Sequence, residues 1–296
     1  MINRKTSFGE RLFQIGNYLF LTLVSLTFLL PFLVILSTSF VSETELIRRG
    51  SFILFPQHFD LTAYKVLLSG SSTLYQAYFI TIMRVVVGTS FNLIITAMMA
   101  YGLARKQLPG RNAVIALIFV TMLIDGGLIP NYLLMKGLHL TNTFWVMILP
   151  GLVNAWYLII MKNFFTQIPD SLEESATIDG ASPLRVLVSI VFPLSLPTFA
   201  TIGLFYAVGH WNAWFDAMIY INDTDKLPVQ AIMRQIVLQY STVDINQSVF
   251  ASLAEKPTAE SVKAAAIIVT TLPILFVYPF LQKHFVKGVL TGSVKG

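Results

Sequence analysis

Apolar residues in this chain come in long, nearly unbroken blocks, and the polar residues gather in the intervals between them. A helix needs roughly 20 mostly apolar residues to cross the hydrocarbon core of a bilayer. Blocks that approach this length cover residues 15–40, 78–104, 113–128, 143–161, 197–219 and 264–281. The pattern predicts an all-α integral membrane protein with six transmembrane helices, residues 1–296 forming a single transmembrane domain. The third block is short and is interrupted by Asp125, Gly126, Gly127 and Pro130. Its outer end is therefore expected to break into a separate short helix over 131–136. Membrane backbone tolerates such a break only where protein or a water-filled cavity covers it. The first block is too long for the apolar region of a signal peptide and no small-residue cleavage site follows it, so it is read as a retained span.

Composition agrees with the pattern. Hydrophobic residues make up 55% and charged residues 12%, where soluble domains carry about 25% charged residues. The chain has no cysteine, which excludes a disulfide framework, a thiol nucleophile and a Cys-ligated metal. No metal site is expected. The net charge of +5 does not point to nucleic acid, because the basic residues sit beside apolar blocks rather than in one patch.

Those basic residues set the orientation. Arg4, Lys5 and Arg11 precede the first span, Arg105, Lys106 and Arg111 fill the turn after the second, and Lys283, Lys287 and Lys295 follow the sixth. An excess of Lys and Arg marks the cytoplasmic side, so both termini are expected there, together with the polar loop 164–194 and its Lys162 and Arg185 flanks.

That loop carries the most informative string, Ile168-Pro169-Asp170-Ser171-Leu172-Glu173-Glu174-Ser175-Ala176-Thr177-Ile178-Asp179-Gly180-Ala181. Ser171 and Glu174 stand at capping-box spacing, which predicts a helix starting at Leu172. Asp179-Gly180 predicts a turn, since Gly accepts the positive φ that ends a helix. Pro183 suits the first turn of a second helix, where its missing N–H costs nothing. The result is a compact exposed knob. Taken alone, Glu173, Glu174 and Asp179 need do no more than solubilise and cap a connection.

The whole string resembles the coupling loop of ABC-importer permeases. That family's pattern is Glu-Ala-Ala, three residues, Gly, nine residues, Ile, one residue, Leu-Pro, and Glu174-Ser175-Ala176, Gly180, Ile190 and Pro193 fall on its spacing. Ser175 replaces an Ala and Phe192 a Leu. The basic tail from Gln282 to Gly296 and the run Leu138-His139-Leu140-Thr141-Asn142-Thr143 followed by Ile148-Leu149-Pro150 are similar to permeases of the maltose-type, carbohydrate-importing branch. The resemblance implies the type I ABC-importer permease fold with a cytoplasmic coupling helix, in a bacterial cytoplasmic (inner) membrane. It also implies an assembly with a second, non-identical permease, two ATPase subunits and an extracytoplasmic solute-binding protein. In it Glu173, Glu174, Ser175, Ala176, Asp179, Gly180, Ala181 and Pro193 would couple to the ATPase, and Lys287 and Lys295 would contact it or form a basic stop-transfer tail. The outer stretch 239–256 would probe the binding protein. No cofactor is expected in this chain, ATP and Mg being bound by the partner ATPase.

Absences are consistent with a transport subunit that is not itself an enzyme. No Gly-x-x-x-x-Gly-Lys-Ser/Thr, His-Glu-x-x-His or Gly-x-Ser-x-Gly string occurs, and each is the signature of a phosphate cradle, a zinc protease or a nucleophile elbow. An ion-gradient-driven secondary transporter, which also places buried charges and broken helices at midplane, is the alternative.

Polar residues within spans usually face the bundle interior or a cavity. Arg84, Asp125, Asn154, His210, Trp211, Asn212, Trp214 and Asp216 are the candidates for a substrate path. Asn212 and Asp216, four apart, are expected to share a helix face. Trp211 and Trp214 suit sugar rings and equally suit interfacial anchoring. Arg84, about 9 Å along its helix from the outer end of the span, is placed to snorkel, to pair with Asp125 or to meet an acidic sugar. The resemblance is closest to importers of larger oligosaccharides, including uronate-containing ones such as alginate fragments.

Overall fold

The computed structural model describes residues 8–50, 52–69, 71–246 and 258–293, and the regular structure among the described residues is all helical. It divides into two units, the described residues of Met1–Ser71 with Gln235–Leu272 and those of Ser72–Arg234 with Pro273–Gly296.

In the first unit α1 (Phe8–Thr38) is a single apolar helix of mean hydropathy 2.7 that buries only Ser37 and Thr38. Its apolar flank is thus left to lipid or to other protein. Two short helices follow, α2 (Glu43–Arg49) and α3 (Thr62–Ser69). Glu45 of α2 is buried and accepts from the Gln57 backbone N–H at 2.9 and 3.1 Å, with Arg49 one turn on. Burial works against its charge, yet these bonds hold the carboxyl below its ordinary value. Ser39 and Tyr64 share a 2.8 Å hydroxyl contact, and Phe40 packs against the Tyr64 ring. The polar segment after the first span is therefore a folded cap.

In the second unit α4 (Ser71–Ala104) runs unbroken for 34 residues. The next spans are not straight. α5 (Arg111–Leu123) and α6 (Leu128–Gly137) meet at 116°. Gly127 supplies the turn with φ +84°, and Asp125 Oδ1 accepts its N–H at 2.8 Å. The break falls where the sequence places it, but α6 begins before Pro130 rather than after it. A proline in the first turn loses no helical hydrogen bond.

The fourth span differs more. In place of one helix over 143–161, two 3₁₀ turns (Phe144–Met147 and Leu149–Gly151) lead at 54° into α7 (Ala155–Phe165). After the loop come α8 (Asp170–Ile178), α9 (Pro183–Val186), a π turn over Leu187–Val191 and α10 (Phe192–Leu194). An 88° bend at Ser195 starts α11 (Leu196–Asn212). The fifth span is itself interrupted at Ala213–Trp214 before α12 (Phe215–Tyr220). Last come α13 (Val229–Asn246) and α14 (Ala259–Ser293), each with residues in both units. Among the described residues, three continuous helices and three bent pairs are long and apolar enough to cross a membrane.

One apolar core ties the loop region to the spans. Ala100 and Tyr101 of α4, Leu158 and Met161 of α7, Val186 and Val191 flanking the π turn, and Ile202 and Tyr206 of α11 are all nearly inaccessible and packed in one cluster.

Candidate functional site

Every break in the second unit leaves backbone groups without helical partners, and in a membrane these must be satisfied internally. At three of the interruptions the partners come from a buried polar stripe on α4. Thr81, Arg84, Gly88, Asn92 and Thr96 recur three or four residues apart and so share one face. Their side chains are buried, at 0–2% exposure for the four that are not glycine.

Its four polar members each have specific partners. Thr81 Oγ1 accepts the Val229 N–H at 2.8 Å, at the start of α13. The Asn92 amide donates to the Gly151 and Leu152 carbonyls at 2.8 and 2.7 Å, where the second 3₁₀ turn ends. With its amide committed, Asn92 Oδ1 accepts from His210 Nε2 at 2.7 Å, so that ring nitrogen carries the proton. Thr96 meets the Tyr206 hydroxyl at 2.9 Å, and that hydroxyl accepts the Asn154 N–H at 3.0 Å. Arg84 donates to the Met147 carbonyl at 3.1 Å and to the Ala213 carbonyl at 3.5 Å, at two different interruptions, and pairs with both oxygens of Asp216.

Arg84 and several of the stripe's partners border a cavity of about 270 Å³ whose walls include Arg84, Asn154, Tyr157, Tyr206, His210 and Asp216. Four of the eight predicted path residues, Arg84, Asn154, His210 and Asp216, therefore meet at one place. Their roles are more structural than the sequence implies. Asn154 caps α7, accepting from the Trp156 and Tyr157 N–H groups at 3.0 and 3.2 Å. Arg84 is 2% exposed; it neither snorkels nor pairs with Asp125. One of its N–H groups, at Nε, is left without an acceptor among the described residues.

The other four stand elsewhere. Asp125 is exposed in the α5–α6 turn. Asn212 and Asp216 share no helix face, because the helix ends between them at Ala213, where the backbone is extended. Trp211 packs its ring 6.5 Å from that of Tyr78, and its indole N–H is buried without an acceptor among the described residues. Trp214 lies under the Arg234 guanidinium, 3.8 Å from its ring centroid. Sequence reasoning missed Asn92, Thr96 and Tyr206. The first two were legible as polar positions at helical spacing inside an apolar span; Tyr206 was not distinguishable from the aromatics around it.

Gly88 makes the stripe possible. A Cβ there would stand 2.5 Å from His210 Nε2 and under 3.0 Å from two ring carbons. Gly88→Ala is expected to push His210 off Asn92 and to cost about 1–3 kcal/mol, the range for overpacking, read as a lower melting temperature in detergent. Adding His210→Ala removes the clash, so the double variant should melt above the single one; equal melting temperatures would mean the contact is not the cause.

The loop forms a second locus. α8 ends in paired reverse-turn bonds, Gly180 N–H to the Thr177 carbonyl at 3.0 Å and Ala181 N–H to the Ala176 carbonyl at 2.9 Å, with Gly180 at φ +81°. This is the Schellman arrangement, for which a left-handed glycine is suited. Ser182 then caps α9, and Pro183 takes its first position. The knob of two short helices is as read, but its start is not. α8 begins at Asp170 behind Pro169, and Ser171 makes no cap. Ala176 and Ala181 pack against the core, while Glu174, Ser175, Asp179 and Pro193 are exposed and Ile178 is 86% exposed. Glu174 has no ion-pair partner among the described residues. Glu173 instead turns inward to Arg105 at 2.5 Å. Burial raises its carboxyl above the ordinary value, against the opposing pull of Arg105. Lys287 falls within the last turns of α14, and Lys295 and residues 247–256 lie outside the described residues.

Known proteins share this sequence and fold. Residues 112–291 match the family described as binding-protein-dependent transport system inner membrane component. The chain is 44% identical to the polygalacturonan/rhamnogalacturonan transport system permease protein YtcP of Bacillus subtilis (strain 168), over 97% of this chain and 99% of that one. It is 47% identical to protein LplC of the same organism, over 97% and 96%. Among solved structures, a chain of a bacterial ABC transporter involved in the import of the acidic polysaccharide alginate superposes with a TM-score of 0.82 at 30% identity, covering 95% of this chain and 99% of that one.

Proposed function

The chain belongs to the binding-protein-dependent transport system inner membrane component family and has the type I ABC-importer permease fold, and from that premise we propose that it carries acidic oligosaccharides, of the pectic or alginate kind, into a bacterial cell. The observation that carries this reading is the near-full-length identity to a polygalacturonan/rhamnogalacturonan permease. The likeness to an alginate importer points the same way.

The chain works as a transport component. Its partners are a solute-binding protein outside and ATPase subunits inside; a second, non-identical permease completes the pathway. The cavity supports that division of labour. About 270 Å³ is at the lower edge of the roughly 300–1,000 Å³ of drug-sized sites, so an oligosaccharide needs more wall than this chain supplies. Arg84 spends most of its donors on protein and offers a ligand its Nε–H. The loop with its exposed Glu174 is the ATPase contact, on the cytoplasmic face with both termini. Lys287 and Lys295 extend that contact.

The test is reconstitution of the chain with the permease, ATPase and binding protein encoded beside it, followed by uptake of labelled oligogalacturonides into proteoliposomes. ATP- and binding-protein-dependent uptake is expected, and the neutral carboxyl-reduced oligosaccharides should be poor substrates. Uptake that follows an ion gradient and ignores ATP would overturn the reading in favour of a secondary transporter.

A further inference from the structure

Adjacent glutamates in the loop face opposite ways, and the inward one closes a clasp. Arg105 is the first residue after α4. Its guanidinium lies over the Tyr101 ring, 4.6 Å from the centroid, donates to the Tyr101 hydroxyl, and pairs with Glu173 Oε2 at 2.5 Å. The side chains are 33% and 16% exposed, so solvent screens the pair only partly. Tyr101 is part of the core that also holds Val186 and Leu187 of the loop. Arg111 secures the same helix end by donating to the Leu103 carbonyl at 2.8 Å. The knob is thus bound to a span far from it in sequence, in addition to its covalent connections to α7 and α11.

What lies at the other end of that span gives the clasp its meaning. α4 contains no break over its 34 residues, about 50 Å at 1.5 Å per residue, and it carries Arg84 of the cavity wall and Asn92, which bonds His210 of that wall. α11, which also borders the cavity and shares the loop's apolar core, follows the loop in sequence across the 88° bend at Ser195. A displacement of α8 reaches Asn92 and Arg84 through α4 without crossing a hinge.

We propose that the Arg105–Glu173 pair is a positioning strut that delivers movement of the coupling loop to α4 and so to the cavity, leaving Glu174 to engage the ATPase. The inference rests on the coupling reading of the loop. It separates two neighbouring carboxylates by task, one for docking and one for transmission.

Charge reversal tests it in the reconstituted complex, with sugar uptake and ATP hydrolysis measured together. Arg105→Glu and Glu173→Arg should each retain the ATPase subunits on purification and lower uptake per ATP hydrolysed at least tenfold. Combining them should restore that ratio to within about threefold of the unaltered complex. The milder Arg105→Gln and Glu173→Gln, in case reversal impairs folding, should give a smaller loss in the same ratio. Loss of the ATPase from a Glu173 variant would make it a docking residue and overturn the proposal. So would single variants with a normal ratio, or a double variant no better than the singles. Failure of the premise looks different: the unaltered complex would show no ATP-driven uptake, and Glu174→Lys would be silent.

Discussion

Arg84→Met should be among the most destabilising single substitutions in the membrane part of the chain. It removes the donors to the Met147 and Ala213 carbonyls and strands Asp216. Breaking a buried ion pair from one side costs about 3–5 kcal/mol, because the remaining charge is left uncompensated. The lower end applies, since the Asp216 side chain is 30% exposed. Removing the second charge as well is a different matter. In Arg84→Met/Asp216→Leu the orphan carbonyls persist but no charge is stranded, so about half of the loss should return. Thermal unfolding in detergent reads both effects. A single variant that melts like the parent would show that the pair contributes nothing to the fold, and a double variant worse than the single would show that Asp216 has a second partner.

Glu174→Lys should abolish transport and leave the chain folded. Glu174 is exposed and without an ion-pair partner among the described residues, whereas its neighbour Glu173 is held by Arg105. The substitution therefore disturbs no internal contact. Against a basic groove on the ATPase, losing a desolvated charge pair costs about 2–5 kcal/mol, equivalent to about a 30-fold to several-thousandfold loss of association. Co-purification of the ATPase should fall accordingly, with Glu174→Gln intermediate and the melting temperature of the isolated chain unchanged. Normal uptake by Glu174→Lys would remove Glu174 from the interface.

The spans and the knob were legible because they depend on local sequence. Apolar block length gives the membrane helices, and Asp179-Gly180 with Pro183 gives the turn between α8 and α9. Capping-box spacing misled at Ser171 because Pro169 precedes it and starts the helix earlier. What could not be read is the set of breaks made by tertiary bonds. No glycine or proline marks Ala213–Trp214; the Ala213 carbonyl faces Arg84 of a distant helix. That break separates Asn212 from Asp216 and brings Asp216, not Asp125, to Arg84. Four path residues were recognisable as costly polar groups within spans, but their partners belong to the assembled bundle.

The polar stripe on α4 also bears on how the chain is made. Arg84 and Asp216 are 132 residues apart, and synthesis proceeds at about 5–20 residues per second. The second span must therefore enter the bilayer on the order of ten seconds before its counter-ion exists. An arginine at the centre of a span opposes insertion by about 2.5–3.5 kcal/mol; Arg84, about 9 Å from the outer end of its block, meets part of that cost, and the apolar residues around it have to carry α4 across unaided. Substitutions that make the outer turns of α4 more polar should reduce the yield of inserted protein even where the finished fold would accept them.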